Sequence, residues 1–509
     1  MSKRIFLYVF ALLVLTVGSR IIFTEKIFYD ADTIGVALAT ESFSLEDTRP
    51  HLPGYYLHVK AIKLIDYLVG DIHSTMMFVT IFYFCAGAIL SFLIFSKYME
   101  LKNAFLVMLL IIFNPLVWYQ TVTPEVYAFD FFFASLAFLI GNRGKLIYFL
   151  PLLFAIATGF RQTSGVLLLP LYIYYWYKFY KSDLWQLEYF IVSHFTAIVV
   201  FLLWFIPFTN STGGVLEYFD LYKTNSPLPR ISLLQHLFQF SSYLFYVLLP
   251  FVILLIVFLI NHHRVKSVLS RIKNDCPLIQ LMLWFIPPFL VFTFFTYHKG
   301  YFLLIITPLY FVAGILLNKK EISLPITMAI LILEILFFIF YPTHDVSLES
   351  LYSPSKRNVN IAGVWVDRTF NSYLMAHSRI EKQEQTLADL FEAVNKNPGG
   401  TTNKYFFIDP TLNLYARALQ IEYTGRKFVT MDQFKKNYFV FYNGIDIEVK
   451  QGFYDVIKES ILITRKDFYD KELSNYLKKF SSYGNIIRID DEKVGSIDII
   501  QKYDSLFLR

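Results

Sequence analysis

The 509-residue chain has little charge, almost no cysteine and no tract of one charge sign. Asp, Glu, Lys and Arg make up 17% of it, against about 25% in an ordinary soluble domain. A chain kept in solution along its whole length by a charged surface is thereby excluded. Two cysteines, Cys85 and Cys276, stand at no metal-type spacing, which excludes a disulfide framework and a zinc cluster. Without a basic tract, the net charge of +6 gives no reason to invoke nucleic acid as a partner. No internal repeat and no low-complexity segment is visible, which argues against solenoids and against transporters built from two related halves.

What is present is apolar. Hydrophobic residues make up 56% of the chain and aromatic residues 19%, with a mean hydropathy of +0.48. The excess is gathered into eleven runs, at about 5–23, 75–95, 103–119, 126–140, 146–160, 162–178, 187–208, 237–260, 278–297, 301–317 and 322–341. Each approaches the roughly 20 residues that cross a hydrocarbon core. The shorter ones read as broken or re-entrant segments. The pattern predicts a polytopic α-helical protein of the lipid bilayer. The first run follows "MSKR" and lacks a small-residue cleavage site, so it reads as a retained signal anchor.

Lys and Arg mark one set of connections, "MSKR", "SKYMELKN", "GNRGK", "YKFYKSD", "NHHRVKSVLSRIKND" and "NKKE". The alternate short set, "QTVTPE", "GFRQ" and "TYHKGY", is poorer in them. Positive charge is retained on the cytoplasmic side. The amino terminus is therefore expected in the cytoplasm, with the loop at about 24–74 and everything beyond Tyr341 outside. This is the arrangement of a multi-pass protein of a bacterial inner (plasma) membrane. Residues 343–509 gain charge and lose long apolar runs. "KYFFIDP", "KNYFVFYNGIDIEV", "SILITR" and "NIIRIDD" read as strands. "SRIEKQEQTLADLFEAVNKN" reads as an amphipathic helix stopped by Asn-Pro-Gly-Gly. Together they predict a soluble extracytoplasmic α/β domain at 343–509 after a membrane domain at 1–342.

Polar residues converge on the outer edge of that topology. "YDADT" puts Asp30 and Asp32 just past the first span, where a carboxylate beside low dielectric needs a partner or a task. A solvated turn is the plain alternative. "TPEVYAFD" places Glu125 at the outer end of the fourth span, and "TGFRQTSG" places Arg161 between two apolar runs. "TYHKGY" places His298 and Lys299 at another outer turn, and "KTNSPLPRIS" places Arg230 in an outer loop. Arg161 and Lys299 also fit simple snorkelling. In "RPHLPGYYL", His51 reads as a turn residue or a site residue, and Tyr55 and Tyr56 fit an interfacial aromatic belt, with Tyr55 also a candidate substrate contact. Asp130 and Glu334, inside apolar runs, are candidates for either function or buried hydrogen bonding. Carboxylates beside cations suit one chemistry. Arg and Lys hold the phosphate of a lipid-linked substrate, and a carboxylate takes a proton from an acceptor hydroxyl or amine. Asp30 and Asp32 are also compatible with holding a divalent metal, Mg or Mn, through oxygen ligands.

Over about residues 1–342 the chain resembles the GT-C superfamily of integral-membrane glycosyltransferases, which includes protein O-mannosyltransferases and the transferase that adds aminoarabinose to lipid A. The likeness is carried by "YDADT" in the first outer loop, by "HLPGYYL", by "KGYFLLIITPLYFVAGILL" and by the closing soluble domain. Two departures stand out: Leu52 replaces the first proline of the family's usual pair, and Asp-Ala-Asp replaces adjacent acids. The resemblance implies a polyprenyl-phosphate sugar donor, a lipid, glycan or protein acceptor, and inversion at the transferred carbon. It also implies Asp32 or Asp30 as base and Lys299 near the donor phosphate. Topology adds Arg161 as a phosphate contact and Glu125 as an acceptor or metal contact. Two rival functions are a flippase or transporter for a lipid-linked or anionic substrate and a non-catalytic partner in envelope-glycan assembly.

Overall fold

In a computed structural model, the described residues are 3–28, 31–46, 49–225, 233–260, 277–294, 298–317 and 323–341. Beyond these come nine strands and scattered residues of 376–388. The helices are α1 (Lys3–Phe23), α2 (Ala31–Glu41), α3 (Tyr56–Val69), α4 (Ile72–Tyr98), α5 (Leu101–Phe113), α6 (Pro115–Val122), α7 (Ala128–Gly141) and α8 (Leu150–Phe160). They continue with α9 (Gln162–Leu167), α10 (Leu169–Tyr180), α11 (Leu187–Asn210), α12 (Val215–Asn225), α13 (Leu233–Ile260), α14 (Leu278–Phe294), α15 (Phe302–Leu317) and α16 (Ser323–Phe340).

Helix occupies each apolar run, with two interruptions. Among the described residues, α1, α4 and α11 are long and apolar enough to cross a membrane alone. The α5–α6 pair makes a fourth if it is one span bent by 62°. Several other apolar helices run only 10–17 residues. The expected continuous segment 103–119 is thus broken at Asn114-Pro115. Proline cannot donate to the helical ladder, and the Asn114 side chain caps α6 by accepting from the backbone N–H of Leu116 at 3.1 Å. The expected segment 162–178 breaks at Leu168, ahead of Pro170 in the first turn of α10. The segment 24–74 carries α2 and α3.

The bend is anchored by buried polar groups. Capping at Asn114 takes the N–H of Leu116 away from the Ile112 carbonyl, and Arg20 of α1 supplies the missing donor. Arg20 Nη2 donates to that carbonyl at 2.6 Å, Nε donates to Thr121 Oγ1 at 3.0 Å, and the guanidinium stacks 4.5 Å from the Phe84 ring centre. Asn114 Nδ2 reaches the Tyr246 carbonyl at 2.8 Å, the Tyr310 hydroxyl at 3.2 Å and Glu334 Oε1 at 3.2 Å, tying α13, α15 and α16 to the break. Glu334 is therefore a buried hydrogen-bonding group. Deeper in the bundle, Ser91 joins Ser135 at 2.8 Å and Thr307 at 2.9 Å, linking α4, α7 and α15. Interhelical hydroxyl contacts of this kind are worth about 0.6 kcal/mol each in a bilayer.

The C-terminal strands are β1 (Asn358–Ile361), β2 (Val364–Asp367), β3 (Tyr405–Ile408), β4 (Lys427–Thr430), β5 (Phe439–Tyr442), β6 (Asp446–Val449), β7 (Ser460–Arg465), β8 (Asn485–Ile489) and β9 (Ile497–Ile500). Five form one sheet in the order β4-β3-β7-β8-β9. Its first four strands are parallel and β9 is antiparallel to β8. β1–β2 and β5–β6 are separate antiparallel pairs. Parallel neighbours require crossover connections; those connections, and most of the expected helix at 378–397, lie outside the described residues. Ser378 Oγ donates to the Tyr341 carbonyl at 2.7 Å, and the His377 ring meets Phe23 edge-on at 5.0 Å.

Two outcomes follow from this packing. Arg20→Met orphans the Ile112 carbonyl and should lower the thermal midpoint in detergent, with a loss on the order of 3 kcal/mol; Arg20→Lys should recover little, because one ammonium cannot span both acceptors. His58, buried in α3 between Tyr83 and Phe160, has its pKa lowered by burial from 6.5 to about 3. The unfolded chain takes up that proton first as pH falls. The stability His58 contributes is therefore whole above 6.5 and lost progressively toward 3. Between pH 6.5 and 5 the loss should be about 2 kcal/mol. Thermal midpoints of His58→Phe should fall less steeply with acidification than those of the native chain.

Candidate functional site

Asp32 lies in the first turn of α2, where the helix dipole favours a carboxylate. Reciprocal backbone hydrogen bonds of 2.8 Å between Ser44 and Arg49 then turn the chain back. Gly54, at φ 119°, occupies a conformation that L side chains rarely adopt, and a Cβ there would meet the Phe208 ring at 2.6 Å. Tyr55 follows at φ 44°, a left-handed conformation uncommon for a non-glycine residue. This geometry carries the Tyr55 ring inward. Its hydroxyl meets His51 Nε2 at 2.9 Å, and His51 Nδ1 stands 3.3 Å from Asp32 Oδ1. The imidazole thus stands between the tyrosine hydroxyl and the Asp32 carboxylate. The expected place of Tyr55 in an interfacial belt is corrected: it is 3% exposed and belongs to this chain of contacts. Burial drives its phenol pKa upward, with the charge of Arg161 opposing.

A second group comes from two distant turns. The short connection after α6 presents Glu125. The 3-10 turn Lys299–Tyr301, entered at His298, presents Lys299. Lys299 Nζ lies 3.3 Å from Glu125 Oε1, with both side chains buried, and 4.6 Å from the Tyr119 ring centre. Gly300 permits this approach, since a Cβ would lie 2.1 Å from Tyr127 Cδ2. His298 stacks on Tyr127 with centres 4.6 Å apart and accepts the Gly300 N–H at 3.2 Å. Burial, then the charges of Lys299, Arg161 and His51, hold its pKa well below the ordinary histidine value. It is a neutral imidazole at neutral pH.

A third group surrounds Arg161, at the break between α8 and α9. Its guanidinium pairs with Asp130 of α7, which also accepts from Ser164. Tyr127 and Tyr301 cover it from two sides, each ring centre 4.6 Å from Cζ. The tyrosines are the parts not singled out from sequence, although both lie inside the quoted motifs "TPEVYAFD" and "TYHKGY".

Asp32, His51, Tyr55, Glu125 and Tyr127 line one small cleft. Lys299 stands behind Glu125 and Arg161 behind Tyr127. Of the expected site residues, the fold therefore gathers Asp32, His51, Tyr55, Glu125, Arg161, His298 and Lys299. Asp30 and Arg230 lie outside the described residues. No group of three or more His, Cys, Asp or Glu side chains suited to a metal occurs among the described residues. Asp32 with His51 offers one oxygen and one nitrogen donor, short of the oxygen-rich set that Mg takes.

Removing one member of the buried Lys299–Glu125 pair leaves an uncompensated charge, at a cost of about 3–5 kcal/mol. Lys299→Met should be strongly destabilised in detergent, and Lys299→Met with Glu125→Gln should recover most of the loss. A double-mutant cycle on thermal midpoints measures the coupling; additive effects would contradict the pairing.

No protein-family model matches this sequence, and no curated protein matches it. Solved structures do match in three dimensions; among them are two crystal structures of ArnT from Cupriavidus metallidurans, one bound to undecaprenyl phosphate and one in the apo state. The TM-scores are 0.51 and 0.52 at 12% identity, over 86% of this chain and 91% of ArnT in each case. At that identity the likeness is one of architecture: this chain has an ArnT-like fold.

Proposed function

We propose that this protein is a polytopic membrane glycosyltransferase. It transfers a sugar from a polyprenyl-phosphate-linked donor to an acceptor on the outer face of a bacterial inner membrane. In this reading the amino terminus is cytoplasmic, and the shorter apolar helices complete the membrane domain as broken or paired spans. The C-terminal domain is extracytoplasmic. The observation that carries the proposal is the single cleft that gathers Asp32, His51 and Glu125, with two buried cations directly behind its wall, in a chain with the fold of a protein crystallised with undecaprenyl phosphate.

The step would be a displacement at the sugar's anomeric carbon. Asp32 takes the proton of the acceptor hydroxyl or amine as the acceptor's bond to that carbon forms. The bond from carbon to phosphate oxygen breaks, and the polyprenyl phosphate departs with the electron pair. Attack opposite the leaving group inverts the centre. His51, braced by Tyr55, orients Asp32 through Nδ1. Lys299 neutralises charge gathering on the leaving phosphate. Arg161 adds a second positive centre behind the tyrosine wall.

The test is transfer of radiolabelled sugar from a defined undecaprenyl-phosphate-sugar by the purified chain in nanodiscs. Asp32→Asn should lower kcat by a factor on the order of 10²–10⁴, the range ascribed to general-base catalysis, with an unchanged thermal midpoint. His51→Ala should show a smaller loss. Full activity in both Asp32→Asn and Asp30→Asn would remove the mechanism.

A further inference from the structure

His298 opens the 3-10 turn that presents Lys299, and the proposed reaction gives it no task. Its backbone is extended, at φ −148° and ψ 144°, and its side chain caps the turn. The Gly300 N–H donates to Nδ1 at 3.2 Å. That one bond decides the protonation of the ring. An imidazolium would set an Nδ1 proton against the Gly300 N–H, donor against donor. The ring is therefore neutral, and a neutral imidazole whose Nδ1 accepts carries its proton on Nε2. The surroundings act in the same direction. Lys299, Arg161 and His51 all bear on the ring and disfavour a further positive charge.

The orientation of the ring is set along with its tautomer. It stacks on Tyr127 with centres 4.6 Å apart and planes 26° apart, and the Tyr301 ring centre lies 5.7 Å away. Both tyrosines also cover the Arg161 guanidinium, and Tyr127 lines the cleft. The side chain is half-buried. Among the described residues it makes its hydrogen bond through Nδ1, and Nε2 is not one of the enclosed polar atoms. An oriented N–H with no acceptor from the protein, one residue from Lys299, suits an anionic oxygen brought by a ligand.

Resting on the proposed function, we propose that His298 is a phosphate-binding residue: its Nε2–H donates, as a neutral group, to a non-bridging oxygen of the polyprenyl phosphate that Lys299 neutralises. Neutrality has a purpose at this place. The phosphate departs as a monoester carrying about −1.5 to −2 near neutral pH. A further cation would hold that product longer, whereas a neutral donor fixes its direction without adding charge.

Two substitutions separate binding from capping. His298→Asn puts an amide oxygen where Nδ1 stands and keeps the cap, for which asparagine is well suited, but it leaves no donor at the Nε2 position. His298→Gln puts an amide N–H near the Nε2 position and gives up the cap. Both lose the stack on Tyr127 alike. Undecaprenyl phosphate is titrated onto the purified chain in nanodiscs. His298→Asn should weaken binding about tenfold, the loss of one hydrogen bond to a charged oxygen, and His298→Gln should lose less. Thermal midpoints should follow the opposite order, with His298→Gln the lower. In transfer assays His298→Asn should raise the donor KM about tenfold and change kcat less, as removal of a contact made in both ground and transition states does. Native and His298→Gln chains should share one pH dependence of binding between about pH 6 and 8, because the donor does not titrate there.

Binding by His298→Asn as tight as that by His298→Gln, or tighter, would overturn the proposal and leave capping as the task of the ring. So would a gain in affinity on acidification shown by the native chain and absent from His298→Gln, since it would mark an imidazolium. Either result leaves the transferase reading intact. Failure of the native chain to bind undecaprenyl phosphate at all would overturn both. The expected order of affinities in a chain that transfers no sugar would sustain the phosphate contact and overturn only the proposed reaction.

Discussion

A positive charge buried near a membrane must be neutralised where it stands, and that constraint organises this molecule. Arg20, Arg161 and Lys299 are almost wholly enclosed. Each is answered by a different device. Arg20 is solvated by a carbonyl and a hydroxyl freed at a helix break, with an aromatic face beside it. Arg161 has a carboxylate from the next element and two tyrosine faces. Lys299 has a carboxylate on the wall of a cleft.

The three devices are mechanically linked. The bend at Asn114 directs α6, α6 ends just before Glu125, and Glu125 meets Lys299. The bend itself depends on Arg20 from α1 and on Tyr246, Tyr310 and Glu334 from three later helices. Polar groups that look expensive in an apolar bundle thus hold the site's geometry. Tyr127 serves both halves of the site: it stacks on His298, covers Arg161 and lines the cleft. Gly300 lets the Lys299 turn close against that ring. A methyl group at position 300 would push apart the two elements whose charges must meet.

Much of the site was legible because its residues are chemically out of place. Asp32, Glu125, Arg161 and Lys299 stand out at the ends of apolar runs, where charge is costly. The charge asymmetry of the loops assigned them to one face before any coordinates were considered. His51 and Tyr55 were legible only as members of a turn. Their roles require the left-handed backbone at Tyr55, which composition does not announce. The helix α2 was not legible because it is short and sits in a segment rich in turn residues. The break at Asn114 was hidden by the apolar residues on both sides of it, although Asn-Pro was its signal.

The amino-acid sequence by itself determined that this chain is apolar and helical, where its long apolar runs fall, and which few residues are too polar for their surroundings. Those properties follow from local composition and from the energetics of burial, which act on each segment separately. Pairing was decided only by the tertiary structure: Arg161 with Asp130, Lys299 with Glu125, Asp32 with His51. The reason is physical. A buried charge specifies that it needs a partner but not which one, and the choice falls to whichever opposite group the helix ends bring within about 4 Å.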